Sequence, residues 1–496
     1  MVIKKELEYF QDYLSDASGF RGIADVLYIP ENIEDLIELV RNLNSEEIPF
    51  TIAGSGTGLT GSRVPNAGVI ISLEKFNQIL VFNEAENYIV CGVGIRWREL
   101  NDFLETKGYY LPPNPTEYNS ALGGNIACNS SGSRTYKYGA IRNYIQAMNV
   151  VLANGDEIYL DREDLSQNSN NNILNINTKY NNYKLETFDL PSPNTKNAAG
   201  YFIKSEMHAI DLFIGAEGTL GITTQAKVLF KKIPQKLIGL IVYFEDDSKL
   251  LDFVERIKSF KNYDNNKENT INLETRLIEY FDTNALKIIS EKYSIPKEAK
   301  FAIWLEQEVE IIDEKNAENI DDLLEKWYEL VQEYSTLSDY TWVAIDEKQH
   351  NEMKEFRHYL PLQIYENLAK SNFVKIGTDS AVEDKYFREY YQFMKENLSK
   401  IGIYAITFGH IGNNHLHINL FGKDENEKLI ALDFYEKLMQ KTIELGGTVS
   451  AEHGIGKLKK KYFKMMYNEN YIKKMKKIKL TFDPNNLLNK GNIFDI

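Results

Sequence analysis

The alternation of apolar and polar residues divides the chain into two parts that predict different arrangements of strands and helices. In the first, residues 29–56 predict a strand end, a helix at IEDLIELVRNL, a short buried strand at PFTIA and a glycine loop. GVIISL and ILVFNEAENYIVCGVGI read as strands, and WRELNDFLETKG reads as a helix ending near Gly108. AMNVVLANGDEIYL predicts a hairpin that turns at Asn154-Gly155.

Four other stretches of this part differ in how regular a structure they predict. LPPNPTEYNSALGGNIACNSSGS is turn-rich and predicts irregular backbone, and the polar residues 162–195 predict a loop or an elaborated hairpin. IDLFIGAEGTLGITTQAKVLF predicts helix, glycine turn and strand. The N-terminal MVIKKELEYFQDYL is charged and has a helical pattern.

The pattern of predicted strands and helices changes near Pro234. From there to about Tyr404, strands such as LIGLIVYF and FAIWLEQE alternate with long amphipathic helices such as IDDLLEKWYELVQEY. This alternation predicts a separate α+β domain built on an antiparallel sheet.

Three of the seven histidines lie close together in FGHIGNNHLHINLF. IGIYAITF and HLHINLF predict two strands joined by the turn-like GHIGNN, with His415, His417 and Asn419 on one strand face. His410 ends the first strand and faces the second. The histidines could therefore converge on one ion, or they could be packed and hydrogen-bonded as ordinary strand residues.

The glycine loop AGSGTGLTG contains a GxGxxG pattern at Gly56, Gly58 and Gly61. A dinucleotide-binding Rossmann unit needs a helix directly after such a loop. Here SRVPNAGVIISL follows, and Pro65 and Gly68 break any helix. The pattern therefore predicts strand–loop–strand, in which backbone N–H groups can still form a nest for a diphosphate.

Two more glycine-rich segments have side chains small enough to admit a flat ligand. They are LGGNIACNSSG, residues 122–132, and GAEGTLGI, residues 215–222. Three such segments separated by regular structure indicate one extended cofactor held by backbone.

Composition excludes several classes of protein. The net charge of −15 disfavours a nucleic-acid partner. Cys91 and Cys128 form no CxxC pair, so no iron–sulfur cluster or disulfide framework is indicated, which fits a reducing compartment. No apolar run is long enough to span a membrane. Residues 457–480 carry ten lysines, which either rest on an anionic membrane or form the solvated face of two helices.

The longer motifs resemble a known family. The chain is similar, from about Asp12 to its C-terminus, to the FAD-linked 2-hydroxy-acid dehydrogenases of the vanillyl-alcohol-oxidase-type flavoprotein superfamily. That family includes D-lactate, D-2-hydroxyglutarate and glycolate dehydrogenases. The motifs that carry the resemblance are IPFTIAGSGTGLTGS, PPNPTEYNSALGGNIACNSSGSRTYKYGAIRNYI, KNAAGY, DLFIGAEGTLGI, GHIGNNHLHIN, AEHGIG and FDPNNLLNKGNIF.

The resemblance implies an α+β fold with a two-part FAD-binding domain and an inserted cap domain. The expected boundaries are 1–233 for the FAD-binding domain and 234–440 for the cap, which carries an antiparallel sheet, helices and the metal-site histidines. Residues 441–496 are expected to carry EHGIG and to pack helices back on the FAD domain.

The resemblance also assigns residues to FAD. The diphosphate is expected on Gly54, Ser55, Gly56, Thr57, Gly58, Gly61 and Ser62. The isoalloxazine side is expected at Pro113, Gly123, Gly124, Asn129, Gly139, Glu217, Gly221 and Ile222. Thr57 stands where covalent relatives carry a flavin-linked histidine, which implies non-covalent FAD. Ala53 and Asn492 replace a usual Arg and a usual Lys.

The family motif implies His410, His417 and Glu452 as ligands of a divalent metal. Two imidazoles and a carboxylate suit zinc, manganese or iron(II). The usual acid–glycine–Asn run of the metal loop is Asn413-Asn414-His415 here. His415 is therefore an extra or substitute ligand, a supporting group behind the ligands, or a surface residue.

The implied reaction is oxidation of a 2-hydroxy acid, with catalytic roles for four residues. His453 would accept the hydroxyl proton, Arg357 and Lys375 would bind the substrate carboxylate, and Asn419 would hydrogen-bond substrate. The alternatives are an orienting role on Glu452 for His453, a surface ion pair for Arg357 and a solvated Lys375.

D-Lactate is the first expected substrate, D-2-hydroxyglutarate the second and glycolate the third. Without iron–sulfur cysteines the electron acceptor is external: a quinone, an electron-transfer flavoprotein, another redox partner or oxygen. The rival hypotheses are an alkylglycerone-phosphate-synthase-like flavoenzyme and a non-catalytic flavin-binding partner subunit. A homodimer and a cytoplasmic location, with peripheral contact at the inner membrane surface, complete the expectations.

Overall fold

The structure, a computed structural model, describes residues 1–261, 273–309, 320–371 and 373–496. Its strands fall into three larger sheets and two short pairs. The strands are β1 Val2–Lys4, β2 Val26–Ile29, β3 Phe50–Ala53, β4 Val69–Ser72, β5 Ile79–Asn83, β6 Tyr88–Gly92, β7 Tyr109–Tyr110, β8 Ile145–Val151, β9 Glu157–Asp161, β10 Ile173–Asn177, β11 Asn182–Glu186, β12 Ile222–Leu229, β13 Lys231–Lys232, β14 Lys236–Phe244, β15 Thr275–Phe281, β16 Phe301–Val309, β17 Trp342–Ala344, β18 Val374–Gly377, β19 Ala405–His410 and β20 His415–Gly422.

The α-helices differ in length, and most of those in the first part of the chain are shorter than most of those in the second. They are α1 Ile33–Ser45, α2 Trp97–Glu105, α3 Leu122–Ala127, α4 Thr135–Tyr138, α5 Ala209–Phe213, α6 Asp247–Phe260, α7 Thr283–Ile289, α8 Ile320–Tyr334, α9 Glu347–Ala369, α10 Phe387–Ile401, α11 Glu425–Glu444, α12 Lys460–Met466 and α13 Glu469–Phe482.

Two sheets build the N-terminal part. The first has the order β1-β2-β4-β3, with β2, β4 and β3 parallel and β1 antiparallel to β2. The second is antiparallel, with the order β5-β6-β12-β8-β9. No helix lies between β3 and β4, so the predicted strand–loop–strand is confirmed. The β8–β9 hairpin is confirmed as well, and residues 162–195 contain the β10–β11 hairpin.

The second part is built on a seven-stranded antiparallel sheet with the order β17-β14-β16-β15-β19-β20-β18. Helices α6, α8, α10 and α11 cover one face of this sheet, and α7 and α9 cover the other. In the β19–β20 pair His410 lies opposite His415, and Phe408 lies opposite His417. This register puts the three histidines on one face.

The C-terminal segment returns to the first part of the chain. The Phe482 ring of α13 packs against Tyr183 and Phe213, with ring centroids 5.3 Å away in both cases. Asn489 N donates to Phe50 O, which ties the C-terminus to β3. Glu452 and His453 lie in the connection that precedes α12 and so between the two parts.

Two local predictions are wrong. The N-terminal segment forms β1 and two 3-10 turns rather than a helix, because Val2–Lys4 pairs with β2. The segment predicted as irregular contains α3, although two of its six residues are glycine. Glycine disfavours a helix by about 1 kcal/mol per residue. The N–H groups at the start of α3 are held by carbonyls outside the helix, Ile95 O and Val93 O, which offsets that cost.

The lysine-rich segment 457–480 is only partly a solvated face. Phe463, Met475 and Phe482 face inward as expected. Three of its lysines are also buried: Lys457 donates to Asn492 Oδ1, Lys459 to Asp379 and Lys479 to Asp483. Within the described ranges, no helix combines the length and the apolar character needed to cross a bilayer.

Candidate active site

A cavity of about 1610 Å³ lies between the glycine loop and the seven-stranded sheet. Ligand pockets commonly measure roughly 300–1,000 Å³, so this one has room for a large cofactor and a second, small ligand. Eleven of the residues expected to bind FAD line it: Gly54, Ser55, Gly56, Thr57, Gly58, Ser62, Gly123, Gly124, Glu217, Gly221 and Ile222.

Four other residues expected at the cofactor do not line the cavity: Gly61, Pro113, Asn129 and Gly139. Two of them hold neighbouring loops. Gly61 N donates to Asp16 Oδ2 at 2.7 Å, and Asn129 Oδ1 accepts from Arg142 N at 3.2 Å. The resemblance alone gave no means to separate residues at the wall from residues behind it.

Backbone is exposed to the cavity where the cofactor is expected. A Cβ on Gly124 would meet nothing within 4 Å, and one on Gly54 would meet only Gly124 Cα, at 4.0 Å. Arg63 braces this loop from behind, since its Nη1 donates to Gly54 O at 2.7 Å and its Nε to Ser15 O at 2.9 Å. A rigid loop with open backbone on one side fits a flat cofactor that approaches the main chain closely.

Glu217 joins three segments of the site. Its carboxylate accepts from Ile455 N at 2.6 Å, Gly456 N at 2.7 Å and Ser62 Oγ at 2.8 Å. Burial raises the pKa of Glu217, and the three hydrogen bonds act in the opposite direction. With its oxygens already used, this side chain connects the glycine loop to the EHGIG segment instead of offering a free charge.

The predicted metal ligands converge at the end of the β19–β20 hairpin. His410, His415, His417 and Glu452 each place one donor atom within 4.8 Å of all the others. Glu452 Oε1 lies 3.4 Å from His410 Nε2, and Glu452 Oε2 lies 3.8 Å from His417 Nε2. His415 is fully buried, so the expectation of a surface residue is wrong.

Hydrogen-bond acceptors behind the rings fix their orientation. His410 Nδ1 contacts Glu279 Oε1, and His417 Nδ1 lies 3.5 Å from Thr378 O. A histidine whose outer nitrogen is held in this way presents its other nitrogen to a metal with a defined tautomer. The donor set and its supports therefore fit a divalent transition metal.

Electrostatics keep His417 and Glu452 in forms that bind metal, whereas Glu279 outweighs burial and raises the pKa of His410. The pKa of His417 is well below its usual value, first because the ring is buried and then because of His415. The pKa of Glu452 is also held well below its usual value: burial opposes ionisation, but Lys196 and then His410 outweigh it. A neutral imidazole and an ionised carboxylate are the ligand forms of these side chains.

His453 stands beside this cluster and lines the cavity. Its ring stacks on His417, with centroids 5.7 Å away and an interplanar angle of 18°. Asp379 Oδ2 lies 3.3 Å from His453 Nδ1 and accepts the His453 backbone N–H at 3.0 Å. Burial lowers the pKa of His453 although Asp379 acts to raise it, so the ring is neutral near pH 7 and can accept a proton.

Arg357 faces the cavity from α9. Its Nε donates to Glu279 Oε2 at 3.1 Å, and its buried Nη1 has no hydrogen-bond partner among the described residues. The guanidinium also lies over the Phe408 ring, 4.9 Å from the centroid. The alternative of a surface ion pair is wrong, because Arg357 is 6 % exposed and Glu279 is fully buried.

Lys375 and Asn419 complete this side of the cavity. Lys375 lies over the Tyr365 ring at 5.0 Å, and burial lowers its pKa. Within the described ranges no carboxylate lies in ion-pair distance of Lys375, which is half-buried rather than solvated. The Asn419 Nδ2 donates weakly to Ile406 O and His417 O, so its amide oxygen is available to a hydroxyl group.

Three charged residues of this site were not predicted from the sequence: Lys196, Glu279 and Asp379. Lys196 is paired with Glu452, and Asp379 also contacts Lys459, Ser450 Oγ and His415. Lys196 opens the quoted motif KNAAGY, which could have singled it out. Glu279 lies in β15, TRLIEYF, where an acid among buried residues was the available signal.

Comparison with known proteins gives two family matches. Residues 24–161 match the family described as FAD binding domain, and residues 269–493 match the family described as FAD linked oxidases, C-terminal domain.

Curated relatives align along nearly the whole chain. A glycolate oxidase subunit GlcD of Bacillus subtilis is 28% identical over 97% of this chain and 92% of its own. A D-lactate dehydrogenase of Archaeoglobus fulgidus is 28% identical, covering 94% and 91%. A D-2-hydroxyglutarate dehydrogenase of Stutzerimonas stutzeri is 26% identical, covering 96% and 92%.

Among solved structures, an alkyldihydroxyacetonephosphate synthase superposes with a TM-score of 0.64 at 17% identity, over 98% of this chain and 81% of that one. A second crystal form of such an enzyme gives a TM-score of 0.65 at 16% identity. At these identities the likeness shows a common fold.

Proposed function

Because the chain belongs to the FAD-linked 2-hydroxy-acid dehydrogenases and has their vanillyl-alcohol-oxidase-type fold, we propose that it oxidises a D-2-hydroxy acid with the help of a bound divalent metal. One observation carries this proposal: the His410–His417–Glu452 cluster, Arg357 and His453 meet beside the cavity that the glycine segments line. Together these groups would bind the carboxylate and the hydroxyl group of a 2-hydroxy acid.

FAD, held without a covalent bond, would lie against the exposed backbone of Gly54–Gly58 and of Gly123-Gly124. When bound, FAD supplies the hydride acceptor. The protein contributes a braced loop and a close approach to the main chain. An external acceptor must then take the electrons, as the dehydrogenase family implies; the candidates are a quinone, an electron-transfer flavoprotein, another redox partner and oxygen.

His410, His417 and Glu452 would hold the metal, with zinc, manganese or iron(II) as candidates. A divalent cation there supplies Lewis acidity, which lowers the pKa of a bound hydroxyl group. The supporting groups Glu279 and Thr378 O keep the two rings turned toward the common centre.

The protein side chains would position the substrate and move its proton. Arg357 would bind the substrate carboxylate through its two terminal nitrogens, of which Nη1 is buried and unpaired among the described residues; a lysine cannot reproduce this two-donor geometry. His453 would accept the hydroxyl proton at Nε2, since Asp379 holds Nδ1 from behind. Asn419 would bind the hydroxyl group through its amide oxygen.

D-Lactate is the first substrate candidate. Lys375 is the observation that favours D-2-hydroxyglutarate as the second, because it is a further cation on the cavity wall and has no acidic partner among the described residues. A Lys375→Met substitution should therefore raise the KM for D-2-hydroxyglutarate much more than the KM for D-lactate.

The alternatives are an alkyl-transfer enzyme and a non-catalytic flavin-binding subunit. The synthase structures share the fold, which does not by itself assign chemistry. Glu452 is the central residue of the AEH motif here, at the place where the synthases have a motif similar to HHH. Its carboxylate lies among the imidazoles, as a metal site requires. The paired Arg357–Glu279 and His453–Asp379 contacts also favour an intact catalytic site.

The test is anaerobic bleaching of the flavin absorbance by D-lactate, D-2-hydroxyglutarate or glycolate, before and after treatment with a chelator. Bleaching by one acid, lost on chelation and restored by zinc or manganese, is the expected result. Bleaching that ignores the chelator would refute the metal role. Absence of bleaching by all three acids would favour the two alternatives.

A further inference from the structure

We propose that His415 is a third imidazole ligand of the metal, so that this chain holds it with three histidines and one glutamate. The inference rests on the metal site of the proposed function and adds a ligand to it. It starts from the position of the ring, which is fully buried between His410 and His417.

The distances fit a shared centre. His415 Nδ1 lies 3.9 Å from Glu452 Oε1, comparable to the 3.4 Å of His410 Nε2 and the 3.8 Å of His417 Nε2 from the same carboxylate. Ligands bound to zinc at about 2.0–2.2 Å must lie roughly 3–4 Å from one another. His415 therefore lies about as far from the shared carboxylate as His417 does.

All three rings have an oxygen close to one nitrogen. Glu279 and Thr378 O are hydrogen-bonded to Nδ1 of His410 and His417, while Asp379 Oδ1 lies 3.1 Å from His415 Nε2 without a hydrogen bond. The other nitrogen of each ring lies within 4 Å of a Glu452 oxygen. A carboxylate behind the ring is the usual companion of a metal-bound histidine.

A purely structural role for His415 leaves both ring nitrogens without a hydrogen bond. Nδ1 and Nε2 are buried, and neither makes a hydrogen bond in the described part of the chain, although Nε2 lies 3.1 Å from Asp379 Oδ1. Leaving a buried polar group unpaired costs about 1–3 kcal/mol. A bound metal would give one of these buried nitrogens its partner.

A third imidazole changes which ions the site prefers. Imidazole suits zinc, iron, copper and nickel, whereas carboxylate and water suit magnesium and manganese. His415→Asn should therefore weaken zinc binding about 10- to 100-fold, while manganese binding changes much less.

The experiment counts imidazoles directly, by X-ray absorption at the zinc edge of the flavin-loaded protein, prepared without a histidine tag. Wild type should give three imidazole ligands, and His415→Asn should give two. His208→Asn is the matched control, because His208 caps α5 far from the cluster and asparagine can cap a helix as well. The control should keep three imidazoles and the zinc affinity of wild type.

The outcomes separate this inference from the proposed function. One zinc bound by two imidazoles in wild type, with chelator-sensitive bleaching intact, would overturn the role of His415 alone. A protein that binds none of zinc, manganese and iron(II) would overturn the metal site and this inference together. If His415→Asn does not fold, the imidazole count of wild type still decides.

Discussion

Glu279 links the substrate-binding arginine to the metal site. It is fully buried, and its two oxygens contact different partners, His410 Nδ1 and Arg357 Nε. Glu279→Gln keeps the shape of the side chain but removes the charge. The amide has one acceptor where the carboxylate has two, so one of the two donors loses its partner and Arg357 loses its counter-ion.

The expected magnitudes follow from these contacts. Removing one member of a buried ion pair costs about 3–5 kcal/mol of folding free energy. Because glutamine keeps one hydrogen bond, we expect a loss near the lower end, about 3 kcal/mol. Replacing the acceptor behind a metal-bound histidine costs roughly 10- to 100-fold in metal affinity, or about 1.4–2.7 kcal/mol.

Two assays measure the two effects separately. Denaturant unfolding of the metal-free protein gives the loss of stability, and competition with a chromogenic chelator, below the unfolding transition, gives the zinc affinity. Glu306→Gln is the control, since Glu306 forms another buried pair, with Arg276 Nη2 at 2.5 Å, and contacts none of the predicted ligands. It should lose stability and keep its zinc affinity.

The pH dependence gives a further check on Glu279. Burial acts to raise its pKa, but His410 and Arg357 outweigh burial and hold the pKa below its usual value. A lowered acid pKa adds stability above the usual value, about 4.3, and that stability is lost as pH falls. Burial acts to lower the pKa of His410, but Glu279 outweighs burial and raises it, so the stability from this pair is also lost as pH rises from about 6.5. The difference in stability between wild type and Glu279→Gln should therefore be greatest between about pH 5 and pH 6.5 and shrink on both sides. An unchanged zinc affinity, or a stability difference that grows in acid, would refute the linkage.

Three further predictions concern the cavity and the two cysteines. Arg357→Lys should slow anaerobic flavin reduction about 100-fold, measured by stopped-flow absorbance, because lysine cannot use two donors on a carboxylate; a change under threefold would contradict the role of Arg357. Gly124→Ala should leave the apoprotein as stable or up to about 1 kcal/mol more stable, since its Cβ meets no atom, yet weaken FAD binding at least tenfold in a fluorescence titration; unchanged FAD affinity would remove Gly124 from the cofactor site. Burial raises the pKa of both Cys91 and Cys128 to about 12, so neither thiol should react measurably with a thiol reagent at pH 8 until guanidinium unfolds the chain; rapid labelling of the folded holoprotein would show that reasoning to be wrong.

The sequence predicted the backbone of the site better than its supports. Pro65 and Gly68 exclude a helix after the glycine loop whatever the rest of the chain does, so strand–loop–strand could be derived locally. The alternation in HLHINLF likewise placed His415 and His417 on one face. Both are short-range patterns with a direct steric or geometric cause.

The supports depend on contacts between distant segments. Glu279 reaches His410 from 131 positions away, and Lys196 reaches Glu452 from 256 positions away. No periodicity within either segment carries that information. The formation of α3 is similar, because carbonyls of Val93 and Ile95 outside the helix hold its first N–H groups.

The candidate metal site needs both parts of the chain to form. The seven-stranded sheet supplies the histidines and Glu279, the C-terminal segment supplies Glu452, and the N-terminal part supplies Lys196 and Ser131, whose Oγ donates to Glu452 Oε1 at 3.0 Å. Around the cluster three acids, Glu279, Asp379 and Glu452, face three bases, Arg357, Lys459 and Lys196. This balance lets the acids stay ionised while buried. A divalent ion would add two positive charges to this balanced group, and neutral imidazole ligands would leave them uncompensated. The carboxylate of a bound hydroxy acid would offset one of them, so this balance favours an anionic substrate at the metal.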